Sequence, residues 1–210
     1  MHKFITGFLI AMVLALPALC RAQDVAPDVL AKKVTDEVIA VLRADKDIQA
    51  GNTKKVHDLV EAKILPHFNF SRMTRLAVGA PWRQASGAQQ QSLVNEFRTL
   101  LVHTYTSAFT QYRDQVIEYR PLKMAPADAE VVVRSLIKQK TGADPIDINY
   151  SMEKTDAGWK VYDVVIAGVS LVQNYRSSFS TEIQKGGIDG LIATLVTKNK
   201  TLAQQQASRK

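Results

Sequence analysis

The chain has a single cysteine, Cys20, and it lies in an apolar N-terminal run rather than in the body of the sequence. One thiol closes no internal disulfide and builds no cysteine-ligated zinc site, so neither framework holds this fold. Long apolar stretches are also scarce. Residues 4–19 form the one such run, preceded by His2 and Lys3, broken by Pro17 and followed by small residues ahead of Gln23. It is shorter than the roughly 20 residues a spanning helix needs, which excludes a transmembrane anchor in favour of a secretory signal peptide. We place the signal peptide at residues 1–22 with cleavage after Ala22, cleavage after Cys20 being the alternative. Leu19 is not the small residue that precedes the acylated cysteine of a lipoprotein signal, which argues against a lipid anchor on Cys20. The leader also lacks acids. Its removal takes only Lys3 and Arg21, leaving 25 basic against 20 acidic residues and a charge of +5. An exported chain rarely meets nucleic acid, so this surplus points to anionic headgroups or acidic protein surfaces.

What remains suits one domain with a sizeable core, residues 23–200, followed by a flexible basic tail at 201–210. Val34, Val38, Val41 and Leu42 mark an amphipathic helix over residues 24–48, ended by Gly51. A second helix is predicted from a cap at Asn52 or Thr53 to Pro66, a short one from a Ser71 cap to Val78, and a long one from a Ser86 cap to about Arg113. The pattern then changes to strands at 116–124, 130–139, 146–154 and 159–167, separated by turn-forming segments. In the third, Ile146, Ile148, Tyr150 and Met152 alternate with polar residues, so one face is covered and one is wet. Ser170 caps a further helix, Gly186 and Gly187 break it, and residues 188–200 form the last. The predicted class is α+β, a curved four-stranded antiparallel meander covered on one face by helices.

Catalytic motifs are missing as well. Gly168-Val169-Ser170 lacks the second glycine of a hydrolase elbow, and His57, His67 and His103 follow no zinc-ligand spacing. The glycines at 186, 187 and 190 are followed by no phosphate-loop lysine. Asp163, alone among apolar strand residues, reads as a structural hydrogen-bonding group.

Two blocks of sequence carry a family resemblance: WKVYDVVIAGVSLVQNYRSSF at 159–179 and LPHFNFSRMTRLAVGAPW at 65–82. With the long helix between them and GIDGLI at 187–192, the chain resembles the MlaC family, also called the toluene-tolerance periplasmic proteins. It departs from that pattern at Asn69, where the family has Asp before Phe70, and at Ala167, where Glu often precedes Gly-Val-Ser. The resemblance implies a monomeric periplasmic carrier of phospholipids with no catalytic residues and no cofactor beyond its cargo. It implies exchange between an outer-membrane lipoprotein complex and the MCE-domain subunit of an inner-membrane ABC transporter, in support of outer-membrane lipid asymmetry.

An apolar sheet face under aromatic-bearing helices is able to enclose acyl chains. We assign the walls of such a slot to Tyr105 and Phe109 of the long helix, to Val133, Ile148, Tyr150 and Met152 of the sheet, and to Val161, Val164, Ile166, Val169 and Val172 of the 159–179 block. Each also suits ordinary core packing. Val161 and Val164 have opposite parity in a regular strand, so both reach one pocket only if a bulge or a twist intervenes. Arg176 and Lys160 are candidates for a headgroup contact or for surface charges. Two rival readings are a small periplasmic enzyme with Asp163 or His103 as base, and an adaptor with a filled core and no cavity.

Overall fold

The structure, a computed structural model, describes residues 25–110, 112, 115–139, 142 and 144–207. The signal peptide at 1–22, Cys20, Arg113 and the last residues of the basic tail, 208–210, lie outside the described residues. Where one helix is predicted over 24–48 there are two, α1 (Pro27–Ala44) and α2 (Lys46–Gln49). The break is caused by Asp45, whose carboxylate accepts the N–H groups of Asp47 and Ile48 at 2.9 and 3.2 Å and so caps a new helix instead of continuing the old one. Asn52 caps α3 (Thr53–Lys63) as predicted. A 3-10 turn follows at Leu65–His67.

The cap of α4 (Phe70–Val78) is Asn69 and not Ser71. Asn69 donates its N–H to the Val161 carbonyl at 2.8 Å, and its side chain accepts from the Arg72 N–H at 3.0 Å. The chain therefore leaves the sheet edge and enters the helix at one residue, which puts Ser71 already inside. The family departure at position 69 keeps the capping function, since Asn and Asp cap equally well. Ahead of α5 (Gly87–Thr110), Ser86 and Gln89 exchange side-chain and backbone bonds at 2.9 and 3.2 Å, a reciprocal capping box.

Among the described residues, five strands form an antiparallel meander in the order β1 (Val116–Tyr119), β2 (Glu130–Lys138), β3 (Ile146–Thr155), β4 (Gly158–Ile166) and β5 (Val169–Ser170). The predicted count of four is thus corrected to five. β5 has only the residues Val169 and Ser170 and folds back on β4 through Ala167 and Gly168, at φ 48° and 84°. Positive φ at both turn positions gives the tight reversal that a twisted hairpin favours, and it strains Ala167, which carries a Cβ. In β4, Asp163 pairs with Ser151 and Val161 with Met152, so Tyr162 is the extra residue of a bulge.

Ser170 then caps α6 (Leu171–Ala207), where Gly186 and Gly187 leave helical geometry and divide the helix into two arms. The second arm continues past Lys200 to Ala207. Leu202 packs on the core, and Gln206 brackets His103 with bonds at 3.0 Å to its ring nitrogen and its carbonyl. Residues 201–207 consequently belong to the helix and not to a frayed tail.

Three apolar clusters result among the described residues. One joins α4, α5 and both arms of α6 around Phe97, and one joins α1, α2 and α3. The third lies on the apolar face of the sheet, with Leu30 and Ala31 of α1, Phe68 and Leu171 packed against it.

Candidate functional site

The bulge decides which side chains share the apolar sheet face. Tyr162 absorbs the extra residue, so Val161 lies opposite Met152 and Val164 opposite Tyr150, and these β3 residues have the same parity. Val161 and Val164 therefore come to one face after all. On it stand Val131, Val133, Ile148, Tyr150, Met152, Val161, Val164 and Ile166 in a single cluster. Burial is graded along this face. Val133 and Met152 are closed in at 0% and 1% exposure, whereas Ile148, Tyr150 and Ile166 keep accessible surface and Val169 is 57% exposed. The face thus has a closed end and an open end.

Four assigned wall residues fall elsewhere. Tyr105 packs into the α4–α5–α6 core beside Tyr175, where burial pushes its phenol up to about 12, and Val172 is buried in the same core. Phe109 packs against the α1–α3 cluster. Val169 pairs with Ile166 at the sheet edge, so it stands at a rim instead of forming an enclosed wall. The sequence reading missed the buried Val131 and Trp159 and the partly buried Leu30, Ala31, Tyr119, Leu122, Phe68 and Leu171, which complete the cluster. Leu30 was within reach, because it lies one turn before Val34 on the same helix face.

The polar residues of the 159–179 block build a helix start. The Asp163 carboxylate accepts from the Ser170 hydroxyl at 2.5 Å and from the Val164 and Val172 N–H groups at 2.8 and 3.1 Å, while the Ser170 oxygen accepts the Gln173 N–H at 3.0 Å. Two orphan donors of α6 are satisfied in this way, which is the physical content of the Tyr-Asp and Gly-Val-Ser motifs. Both bases of the enzyme reading hold structural tasks, Asp163 here and His103 against Gln206. Among the described residues, no three His, Cys, Asp or Glu side chains gather as a metal site. Lys160 donates to the Pro66 carbonyl at 2.7 Å, and Arg176, exposed, lies over Gly79.

On the other face Glu130 and Glu153 are register partners, an arrangement that repels unless a cation intervenes. Arg72 of α4 supplies it, with bonds of 2.8 Å to Glu130 and 2.6 Å to Glu153 and its guanidinium 3.7 Å over the Tyr162 ring. Tyr162 donates to Glu130 at 3.0 Å and Asn69 to Glu153 at 2.8 Å. The bulge residue and the α4 cap thereby clasp the helices to the sheet. Arg72→Ala is expected to cost about 2–3 kcal/mol, because Glu153 stays largely buried without its counter-ion, held by Asn69 alone; urea denaturation measures it, and a loss near zero would show the clasp to be idle. The hydrogen bond from Arg72, then that from Tyr162, holds the Glu130 carboxyl below the usual range. Its contribution is present above the unfolded-state pKa and is lost as pH falls through the lower folded value, so the Arg72→Ala deficit should shrink in acid.

A separate cavity of about 340 Å³ lies between the two arms of α6, floored by Leu100, Phe179, Leu191 and Leu195. It is a surface notch, since Thr181, Thr194 and Lys198 on its rim are exposed. Among the described residues no helix is long and apolar enough to cross a membrane.

The family model for MlaC protein matches residues 32–197. An intermembrane phospholipid transport system binding protein MlaC from Haemophilus influenzae is 26% identical over 184 residues, covering 87% of this chain and 84% of that protein. The toluene tolerance protein ttg2D of Pseudomonas putida is 23% identical over 182 residues, 86% of this chain and 83% of that one. A phospholipid-binding protein from Ralstonia solanacearum, solved in complex with a phospholipid, superposes with a TM-score of 0.79 at 38% identity, over 85% of this chain and 99% of the other.

Proposed function

Because the chain belongs to the MlaC family, we propose that it binds a phospholipid between the apolar sheet face and α1 and carries it through the periplasm. The observation that carries this reading is the phospholipid bound to the Ralstonia solanacearum protein, which shares the fold at 38% identity. The graded sheet face supports it, since acyl chains enter at Ile148, Ile166 and the rim residue Val169 and run toward Val133 and Met152. Each methylene withdrawn from water contributes about 0.8 kcal/mol, so part of one chain suffices for tight binding. Release then requires a partner that shifts the balance. The partners are an outer-membrane lipoprotein complex and the MCE-domain subunit of an inner-membrane ABC transporter, and the traffic maintains outer-membrane lipid asymmetry.

Mass spectrometry of organic extracts tests the reading, using protein purified from the periplasm without detergent and a delipidated control. Phospholipid near one equivalent or above is expected. A protein that comes out empty and takes up no lipid from vesicles would end the carrier reading.

A further inference from the structure

The cover of the apolar sheet face is held down unevenly. Phe68 and Leu171 each sit beside a firm junction of helix and sheet. Next to Phe68, Asn69 bonds the Val161 carbonyl at 2.8 Å and Arg72 clasps Glu130 and Glu153; next to Leu171, the Val172 N–H bonds the Asp163 carboxylate at 3.1 Å. α1 is tied differently. Its later residues Val38 and Leu42 pack with α2 and α3, and it meets the sheet cluster through Leu30 and Ala31. Among the described residues, one side chain of the sheet bonds α1. The Tyr119 phenol donates to the Ala31 carbonyl at 3.1 Å, and its oxygen lies 2.6 Å from the Thr35 hydroxyl, one helical turn further on. With its own proton on Ala31, Tyr119 accepts from Thr35.

The place of this tie matters as much. Tyr119 ends β1, an edge strand, and Tyr119, Ser135, Ile148 and Ile166 are successive partners across β1 to β4. Ile148 and Ile166 are the half-buried residues of the open end, so the tie to α1 lies level with the entrance. The seams also differ in what their breaking exposes. Parting α4 from the sheet leaves the Glu153 carboxylate, 16% exposed, without its cation. Parting α1 at Tyr119 orphans nothing. The Ala31 carbonyl keeps its helical partner, the Thr35 hydroxyl turns back to that same carbonyl four residues before it, and the phenol meets water at the sheet edge. A pair of bonds that closes a seam and breaks without an orphan has the properties of a latch.

We propose that Tyr119 is a positioning residue for lipid exchange: it latches α1 to β1, and cargo enters and leaves when these two bonds break while the Arg72 clasp stays shut. This rests on the phospholipid-carrier reading of the same face and adds the seam at which the slot opens.

The test is the rate of exchange. Parent, Tyr119→Phe and Arg72→Ala proteins without residues 1–22 are delipidated, and transfer of a fluorescent phosphatidylglycerol to and from vesicles is followed by stopped flow beside a urea melt. Tyr119→Phe keeps the ring and removes the hydroxyl alone. It is expected to speed loading and release together by about ten-fold, the factor that two neutral hydrogen bonds sustain, with lipid bound at saturation unchanged. A tyrosine that merely stabilised the fold would shift the melt and leave both rates alone. Arg72→Ala, the more destabilised variant, should exchange at the parent rate. A second measurement joins Thr35→Cys to Tyr119→Cys with a reducible bis-thiosulfonate linker about as long as the phenol, in a chain whose one cysteine, Cys20, falls in the leader. The bridged protein should retain its lipid and release it on reduction. Parent-like rates in Tyr119→Phe, free exchange by the bridged protein, or an acceleration by Arg72→Ala that matches Tyr119→Phe would each overturn the inference. A parent protein that loads no lipid would instead sink the carrier reading and this inference with it.

Discussion

Phe97→Ala is expected to destabilise the protein by about 3–5 kcal/mol, against a total of roughly 5–15 kcal/mol for a domain of ordinary stability. Phe97 is fully buried on α5 and meets Tyr175 and Phe179 of α6 edge-on, with ring centroids 5.0 Å away in both cases. Removing the ring forfeits its transfer free energy, leaves a cavity among rigid neighbours and breaks two favourable aromatic pairs. At this size each kcal/mol shifts Tm by about 2–4 °C, so a fall on the order of 10 °C should follow. Denaturant melts at unchanged m-value would measure it. A loss below about 1 kcal/mol would mean that the aromatic triad is loosely packed. Phe97 belongs to the helical core and not to the sheet cluster, so lipid bound per folded molecule should stay at the parent level. A drop in occupancy matching the drop in stability would instead tie the two cores together.

Much of this architecture is legible because its punctuation is local. Asn52, Ser86 and Ser170 cap helices where their spacing places them, and the bounds of β2, β3 and β4 follow the turn segments between them, whereas β1, predicted to run to Met124, ends at Tyr119. Bringing Val161 and Val164 to one face required a bulge or a twist, and Tyr162 supplies the bulge. What escaped the sequence is the choice of partner. Tyr105, Phe109 and Val172 carry an inward periodicity as the sheet-face residues do, yet two other cores receive them: Tyr105 and Val172 go to the helical core beside Tyr175, and Phe109 goes to the α1–α3 cluster. A helical period reports that a side chain is buried without saying against what. β5 escaped for another reason, since two residues are too few to show alternation. Asn69, and not the predicted Ser71, is the cap because its N–H is held by the Val161 carbonyl, which lies far away in sequence. The clasp was unreadable for the same cause: nothing near Arg72 in the chain announces Glu130 and Glu153.

Val164→Phe is the substitution that separates a lipid slot from an ordinary core. Val164 is 8% exposed, lies opposite Tyr150 and borders the step from the open to the closed part of the face. A ring in its place projects into the volume assigned to acyl chain. Overpacking costs about 1–3 kcal/mol, which a protein of ordinary stability survives. Displacing two or three methylenes costs the lipid about 2 kcal/mol, a weakening of roughly thirty-fold. Val169→Phe supplies the contrast, because it adds the same ring at a position 57% exposed and should leave occupancy at the parent level. Both variants are to be delipidated, reloaded from vesicles and assayed by mass spectrometry beside a urea melt. If folded Val164→Phe reloads fully, the sheet face is packed core and the acyl chains lie elsewhere. The notch between the arms of α6 would then be the next place to look. If Val169→Phe loses as much lipid as Val164→Phe, the rim is part of the grip, and the entrance lies deeper than the gradient of burial along β3 and β4 places it.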